Sequence, residues 1–240
     1  MLWKKIKSNS NKDLSVFEHL DEFRQRIIYI VVYLVLFSII GFFLSDFLLK
    51  VLTSPLGSYG KLIFTKPAEA MVATLKISAY FGFLATIPVI LFNTWRFISP
   101  ALPENQRKKI FWIIPISCFL FLGGVAFSYY LVLPFGLKFL LQYGTQRMEA
   151  LITISAYVSF VLFFLLSFGV IFQFPLVIII LKMFGLVDAK MLSSVRKYAI
   201  FIIFVLAGVI TPTTDIFTQC LMAFPMLALY ELSILIIRFI

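Results

Sequence analysis

Apolar residues fall into six runs separated by short polar links, at about 27–49, 71–92, 110–135, 152–181, 198–210 and 216–237. A hydrocarbon core of about 30 Å takes roughly 20 apolar residues per helical crossing, so the first four runs are predicted to be membrane-spanning helices. The fifth, "YAIFIIFVLAGVI", has 13 residues and would reach only about 20 Å as a helix. The sixth is apolar from Ile216 to Leu229 before Glu231 interrupts it, with Leu232–Ile237 beyond. The pattern therefore predicts short fifth and sixth helices, seated in locally thinned bilayer or shielded by neighbouring chains. Pro88, Pro115, Pro134, Pro175 and Pro225 lie within or beside the runs. Each removes a backbone donor and bends its helix, which predicts curved helices in place of a tight parallel bundle.

The stretch ahead of the first run, "EHLDEFRQR" at 18–26, is acidic as well as basic. "SVFE" at 15–18 matches a capping box, with Ser15 as N-cap and Glu18 reaching back, so a helix should begin at Val16. At 3.6 residues per turn, Phe17, Leu20, Phe23 and Ile27 share one stripe, and Glu18, Asp21, Glu22 and Gln25 share another. The expectation is a basic tail over 1–14, then an amphipathic helix over 15–26 that lies on the membrane surface before turning into the first span. A plainer reading has Glu18 capping and Glu22 pairing with Arg26 at i,i+4.

Composition sharpens this picture. The 240 residues are 62% hydrophobic and 13% charged, with a mean hydropathy of +1.03. That defines an all-α integral membrane protein, a single transmembrane domain over 1–240 with no room for a sizeable soluble one. The first run is too long for a signal-peptide core and lacks a small-residue cleavage site, so it is expected to be retained. Six spans put both termini on one side, and 15 of the 21 lysines and arginines then fall on that side. An N-in, C-in topology follows. The net charge of +10 is thereby a topological signal, and nucleic-acid binding is not needed to explain it. Cys118 and Cys220 sit in apolar segments and there is one histidine, which disfavours thiol chemistry, a metal site or another cofactor.

Three further polar features stand out. "WRFISPALPENQRKK" at 95–109 is stiffened by Pro100 and Pro103 and carries Glu104 beside a basic triplet that serves topology. Gln173, in "FGVIFQFPLVIII", needs a hydrogen-bond partner, either on a neighbouring helix of this chain or on a partner protein. "ITPTTDIFTQ" at 210–219 forms a tip between the last two runs. There Thr213, Thr214 or Asp215 could cap the sixth helix, while Thr211 and Gln219 must find partners near the membrane. No serine–histidine arrangement or aspartate pair lies within a span, which argues against an intramembrane enzyme. A small-solute secondary transporter is the rival class. It calls for an ionisable midspan residue or broken helices related by a repeat, whereas the acids lie near segment ends and the first three runs do not repeat in the last three.

Seven motifs in order, "HLDEFRQR", "SPL", "IPVILFNTWRFISPAL", "SYYLVLPFGLKFL", "FGVIFQFP", "TPTTDIFTQ" and "PMLALYE", resemble the TatC family, the multispanning subunit of the twin-arginine protein translocase. The resemblance implies a receptor and translocation scaffold that is not an enzyme. It would bind twin-arginine signal peptides of folded cargo, self-associate in a receptor complex, and work with single-span TatA- and TatB-type partners in the bilayer. Transport would draw on the proton-motive force. It also implies that Glu22, Arg24 and Phe97 belong to the signal-peptide site. The family's loop acid aligns with Gln106, with Glu104 the nearest carboxylate. Gln173, Gly208, Thr211, Asp215 and Gln219 are implied to contact partner helices. Glutamine at 173 and the "TPTTD" tip are similar to the cyanobacterial and plastid branch, and the Phe-, Ile- and Lys-rich composition to plastid-encoded proteins, which points to a plastid thylakoid membrane, with a cyanobacterial inner or thylakoid membrane as the alternative.

Overall fold

The computed structural model describes residues 16–57, 62–98, 110–142, 151–211 and 215–239, and side chains from Asp21 onward except those of 98, 110 and 111. Helix α1 spans Val16–Phe43, α2 Ser45–Thr53, α3 Glu69–Ile98 and α4 Ile110–Phe127. A wide π turn at Ser128–Val132 joins α4 to α5, Leu133–Gln142. Then follow α6 (Ile154–Ile171), α7 (Phe174–Met183), the short α8 (Ala189–Ser194), α9 (Arg196–Ile210) and α10 (Ile216–Phe239). Among the described residues, five helical stretches are long and apolar enough to cross a membrane: 21–43, 69–97, 112–142, 154–183 and 216–239.

The first four stretches alternate in direction, and α9 returns antiparallel to α10, so the fifth stretch runs the same way as the fourth. Arg26 meets Asn93, and Gly41 lies against Phe81 and Ser78, so α1 runs antiparallel to α3. Trp95 of α3, Ile113 of α4 and Ile180 of α7 share one apolar cluster, and Lys182 reaches the backbone of Ile237. The start of α1, the end of α3, the start of α4 and the ends of α7 and α10 therefore gather at one end, called the near end. The core is centred on α6, whose Val158, Val161, Phe164 and Phe168 are fully enclosed together with Met222, Ile234 and Ile237 of α10. Two glycines permit the tightest approaches: a Cβ at Gly82 would collide with Ser38 of α1, and one at Gly124 with the Phe168 carbonyl. By contrast α1 packs mainly on α3, and only 6% of its spanning window is buried.

At the far end the loops are stitched together. Leu62 and Ile63 (β1) pair in parallel with Ile152 and Thr153 (β2). The Glu69 carboxylate accepts from the Thr65 N–H at 2.8 Å and the Ser155 N–H at 3.3 Å, tying the start of α3 to the start of α6. The last carbonyls of a helix have no intrahelical donor. Tyr129 and Tyr157 supply hydroxyls to Val51 at 2.7 Å and Leu52 at 2.8 Å near the end of α2.

Several expectations change. Among the described residues, α1 runs unbroken from Val16 to Phe43, so no turn separates a surface helix from the first span. The first apolar run divides instead at Leu44, where Ser45 and Asp46 open the short amphipathic α2. The sixth helix is not short. Its 24 residues make about 36 Å, because Glu231 does not interrupt it: the carboxylate is exposed and accepts from Arg196 at 2.9 Å, while Tyr230, Ser233, Ile234 and Ile237 continue the buried face. The fifth is short as expected, with 15 residues. Helices continue through Pro88, Pro115 and Pro225, whereas Pro134 follows the π turn and Pro175 follows the break between α6 and α7.

Candidate functional site

The near end of the α1–α3 pair holds the first group. Arg26 is buried, with 9% of its surface exposed. One guanidinium nitrogen donates to the Asn93 carbonyl at 2.6 Å and another to the Glu22 carboxylate one turn earlier. Asn93 is fixed in turn, its amide donating to Val89 O at 2.8 Å. The Phe97 ring stands 5.4 Å from that of Phe23, and the Arg26 guanidinium carbon lies 6.0 Å from its centroid. A helical residue two positions on is about 200° round the axis, so Arg24, which is exposed, is not brought to Glu22. Glu104 and Gln106 lie outside the described residues.

This arrangement carries chemistry. The i,i+4 pair expected of Glu22 and Arg26 is present, with 35% of the Glu22 side chain still exposed against 11% of Arg26. A planar guanidinium with a fixed fork can hold two acceptors at once, so Arg26 fixes the Glu22 carboxylate relative to α3. The sequence offered Arg26 as the i,i+4 partner of Glu22, but not its burial or its bond to the Asn93 carbonyl on α3. The signal for Arg26 was the four-residue spacing from Glu22 combined with the aromatic residues at 23 and 97.

The second group lies inside the membrane region. At the α6–α7 break Gln173 faces α4, where Ser117 Oγ donates to Gln173 Oε1 at 2.6 Å and Gln173 Nε2 donates to Ser117 O at 2.9 Å. Of the two partners open to this amide, the one within the chain is present. The third group is the α9–α10 tip. Asp215 caps α10, accepting from the Thr218 N–H at 2.6 Å, as a residue of that type before a helix should. Gln219 Nε2 donates to Phe204 O at 2.9 Å, and Thr211 Oγ1 to Ala207 O at 2.8 Å. A Cβ at Gly208 would lie 2.8 Å from Gln219 Nε2, so the glycine makes room for that crossing. The structure thus brings Gly208 and Gln219 together, and seats Thr211 and Asp215 at the ends of the same two helices.

Long apolar helices, intramembrane polar groups that pair with one another, and a charged and aromatic cluster at one edge define a multi-pass membrane protein. The model of the family described as Sec-independent protein translocase protein (TatC) matches residues 18–225. A TatC from Carboxydothermus hydrogenoformans is 39% identical over 231 residues, 96% of this chain and 95% of the relative. The chloroplastic TATC of Pisum sativum is 39% identical over 92% of this chain, which spans 63% of that longer relative. A crystal structure of the twin-arginine translocase receptor TatC superposes with a TM-score of 0.81 at 36% identity, covering 92% of this chain and 99% of that one. The chain belongs to the TatC family and is a core subunit of the twin-arginine translocase.

Proposed function

We propose that the near end of α1 and α3 is where this subunit receives the paired arginines of a signal peptide. The observation that carries the reading is the Glu22 carboxylate, held against α3 by a buried arginine that is itself anchored on Asn93 O. A carboxylate accepts several donors, and a charge-assisted hydrogen bond from an incoming guanidinium contributes about 1.5–3 kcal/mol where water is partly excluded. Phe97 and Phe23 offer the apolar side of such a pocket. Glu104 is the candidate for a second carboxylate, with Gln106 beside it. Arg24 contributes orientation in the membrane, because its side chain leaves the α1 face that meets α3.

The near end then faces the compartment in which cargo is made, in an N-in, C-in orientation. TatA- and TatB-type single-span helices would dock on α9 and α10, with self-association of the receptor and the proton-motive force completing transport. Phe201, Val205 and Val209 of α9 are exposed and apolar, which suits a lipid-facing partner helix. A plastid thylakoid is the location we favour, in line with the "TPTTD" tip. Photocrosslinking of a twin-arginine signal peptide to the full chain in membranes tests the site. Glu22→Ala with Glu104→Ala should abolish the arginine-dependent crosslink while membrane insertion persists. An undiminished crosslink in the double variant would overturn the assignment.

A further inference from the structure

Beside the contact of α7 with α10, the near end opens into a cleft of about 760 Å³ lined by Lys182, Asp188, Lys190, Ser193 and Arg238. Lys182 and Arg238 each stand one residue before the end of a membrane-spanning stretch, which sets them at the depth of lipid headgroups. Lys182 is anchored: its ammonium donates to Ile237 O at 3.0 Å, and two of its three N–H groups remain for another acceptor. Lys190 and Arg238 are exposed and have no ion-pair or hydrogen-bond partner for their side chains among the described residues. Three cations therefore face a single carboxylate, Asp188. Nearby along the chain, Leu186 is 64% exposed, Met191 55% and Phe239 90%.

The geometry points to a binding site for the phosphodiester headgroup of an anionic phospholipid. Concavity and excess positive charge fit the phosphate, and the exposed apolar side chains fit acyl chains at the same depth. A free phosphate would gain nothing from the apolar residues. Basic residues at a membrane interface each favour anionic lipid by a factor of roughly five, and a cleft that gathers them converts a diffuse attraction into a localised one. This site is separate from the Glu22 cluster and does not depend on how signal peptides bind.

The test uses the full chain in phosphatidylcholine nanodiscs containing a minority of spin-labelled phosphatidylglycerol, with the motionally restricted lipid fraction as the readout. The wild-type chain should prefer the anionic lipid, Lys190→Gln with Arg238→Gln should lower that preference roughly fivefold per cation, and Asp188→Asn should raise it. Lys50→Gln with Lys138→Gln, at the far end, should leave it unchanged. The substituted side chains are exposed, and an unaltered thermal unfolding midpoint confirms that the fold is intact. No preference in the wild type, a preference that survives in the near-end double variant, or an equal loss in the far-end variant would overturn the site. Displacement of the labelled lipid by millimolar inorganic phosphate would assign the cleft to a free anion and also overturn the proposal.

Discussion

Removing the Ser117 hydroxyl should cost more than removing it together with its partner amide. Ser117 is fully enclosed, and its two hydrogen bonds with Gln173, at 2.6 and 2.9 Å, close a reciprocal ring between α4 and the α6–α7 break. Interhelical hydrogen bonds in membranes contribute about 0.6–2 kcal/mol. Gln173→Leu deletes both bonds but lets the Ser117 hydroxyl turn to the carbonyl one turn earlier, so a loss of about 1 kcal/mol is expected. Ser117→Ala leaves a half-buried amide oxygen without its donor, which costs about 1–3 kcal/mol. The double variant removes both needs and should be no less stable than Ser117→Ala alone. Equilibrium unfolding in mixed micelles, run as a double-mutant cycle, measures this directly. A coupling below about 0.3 kcal/mol, the ordinary scatter of additive pairs, would refute the reasoning, because the two groups would then not be sharing one another's bonds. Gln173→Glu should fall between the extremes, since its carboxyl still accepts from Ser117 Oγ but donates to Ser117 O only when protonated.

Arg26→Lys exchanges a fork for a single ammonium; one of the two contacts to Asn93 and Glu22 should weaken, destabilising by about 1–2 kcal/mol and reducing signal-peptide crosslinking. Full crosslinking in that variant would show that Glu22 needs no such support. Tyr157→Phe removes a buried hydroxyl from Leu52 O; a cost of about 1 kcal/mol should register as faster amide exchange in α2, and unchanged exchange would dissociate the bond from the anchoring of that helix. Asp215→Ala removes the α10 cap, with an expected cost of about 0.5–2 kcal/mol and faster exchange of the Thr218 amide, whereas Asp215→Asn should retain most of the protection.

Long apolar runs and the Asp215 cap were legible in the sequence because both follow from local rules, the length of a bilayer crossing and the chemistry of a helix start. The break at Leu44 was not, since Leu44 is as apolar as its neighbours and the only signal is the Ser45–Asp46 pair that follows it. Glu231 misled for a related reason. Hydropathy along the chain treats a carboxylate as an interruption, but its partner Arg196 lies 35 residues away, and only the folded chain supplies it. The parallel pairing of Leu62–Ile63 with Ile152–Thr153 is two residues long on each side and joins loops about 90 residues apart. Neither a period nor a turn motif marks so short a ladder.

The α9–α10 tip shows how the structure changes a functional argument without changing the surface it concerns. Thr211 and Gln219 stood out because polar groups near lipid must find partners, and a second protein was one way to provide them. Both needs are met at home, by Ala207 O and Phe204 O, and Asp215 is occupied at the start of α10. Unsatisfied polarity therefore no longer argues for a partner here. What remains is shape: a 15-residue α9, too short to span alone, with Phe201 70% and Val209 77% exposed along it. A helix of that length leaves a mismatch with a bilayer core of about 30 Å, and a neighbouring single-span helix can cover its exposed face where lipid must thin or deform. The partner surface is better sought at Phe201, Val205 and Val209 than at the inward-turned amide of Gln219. Cysteines at those three positions should crosslink to a single-span partner more readily than one at Gln219, and the reverse order would return the polar tip to the interface.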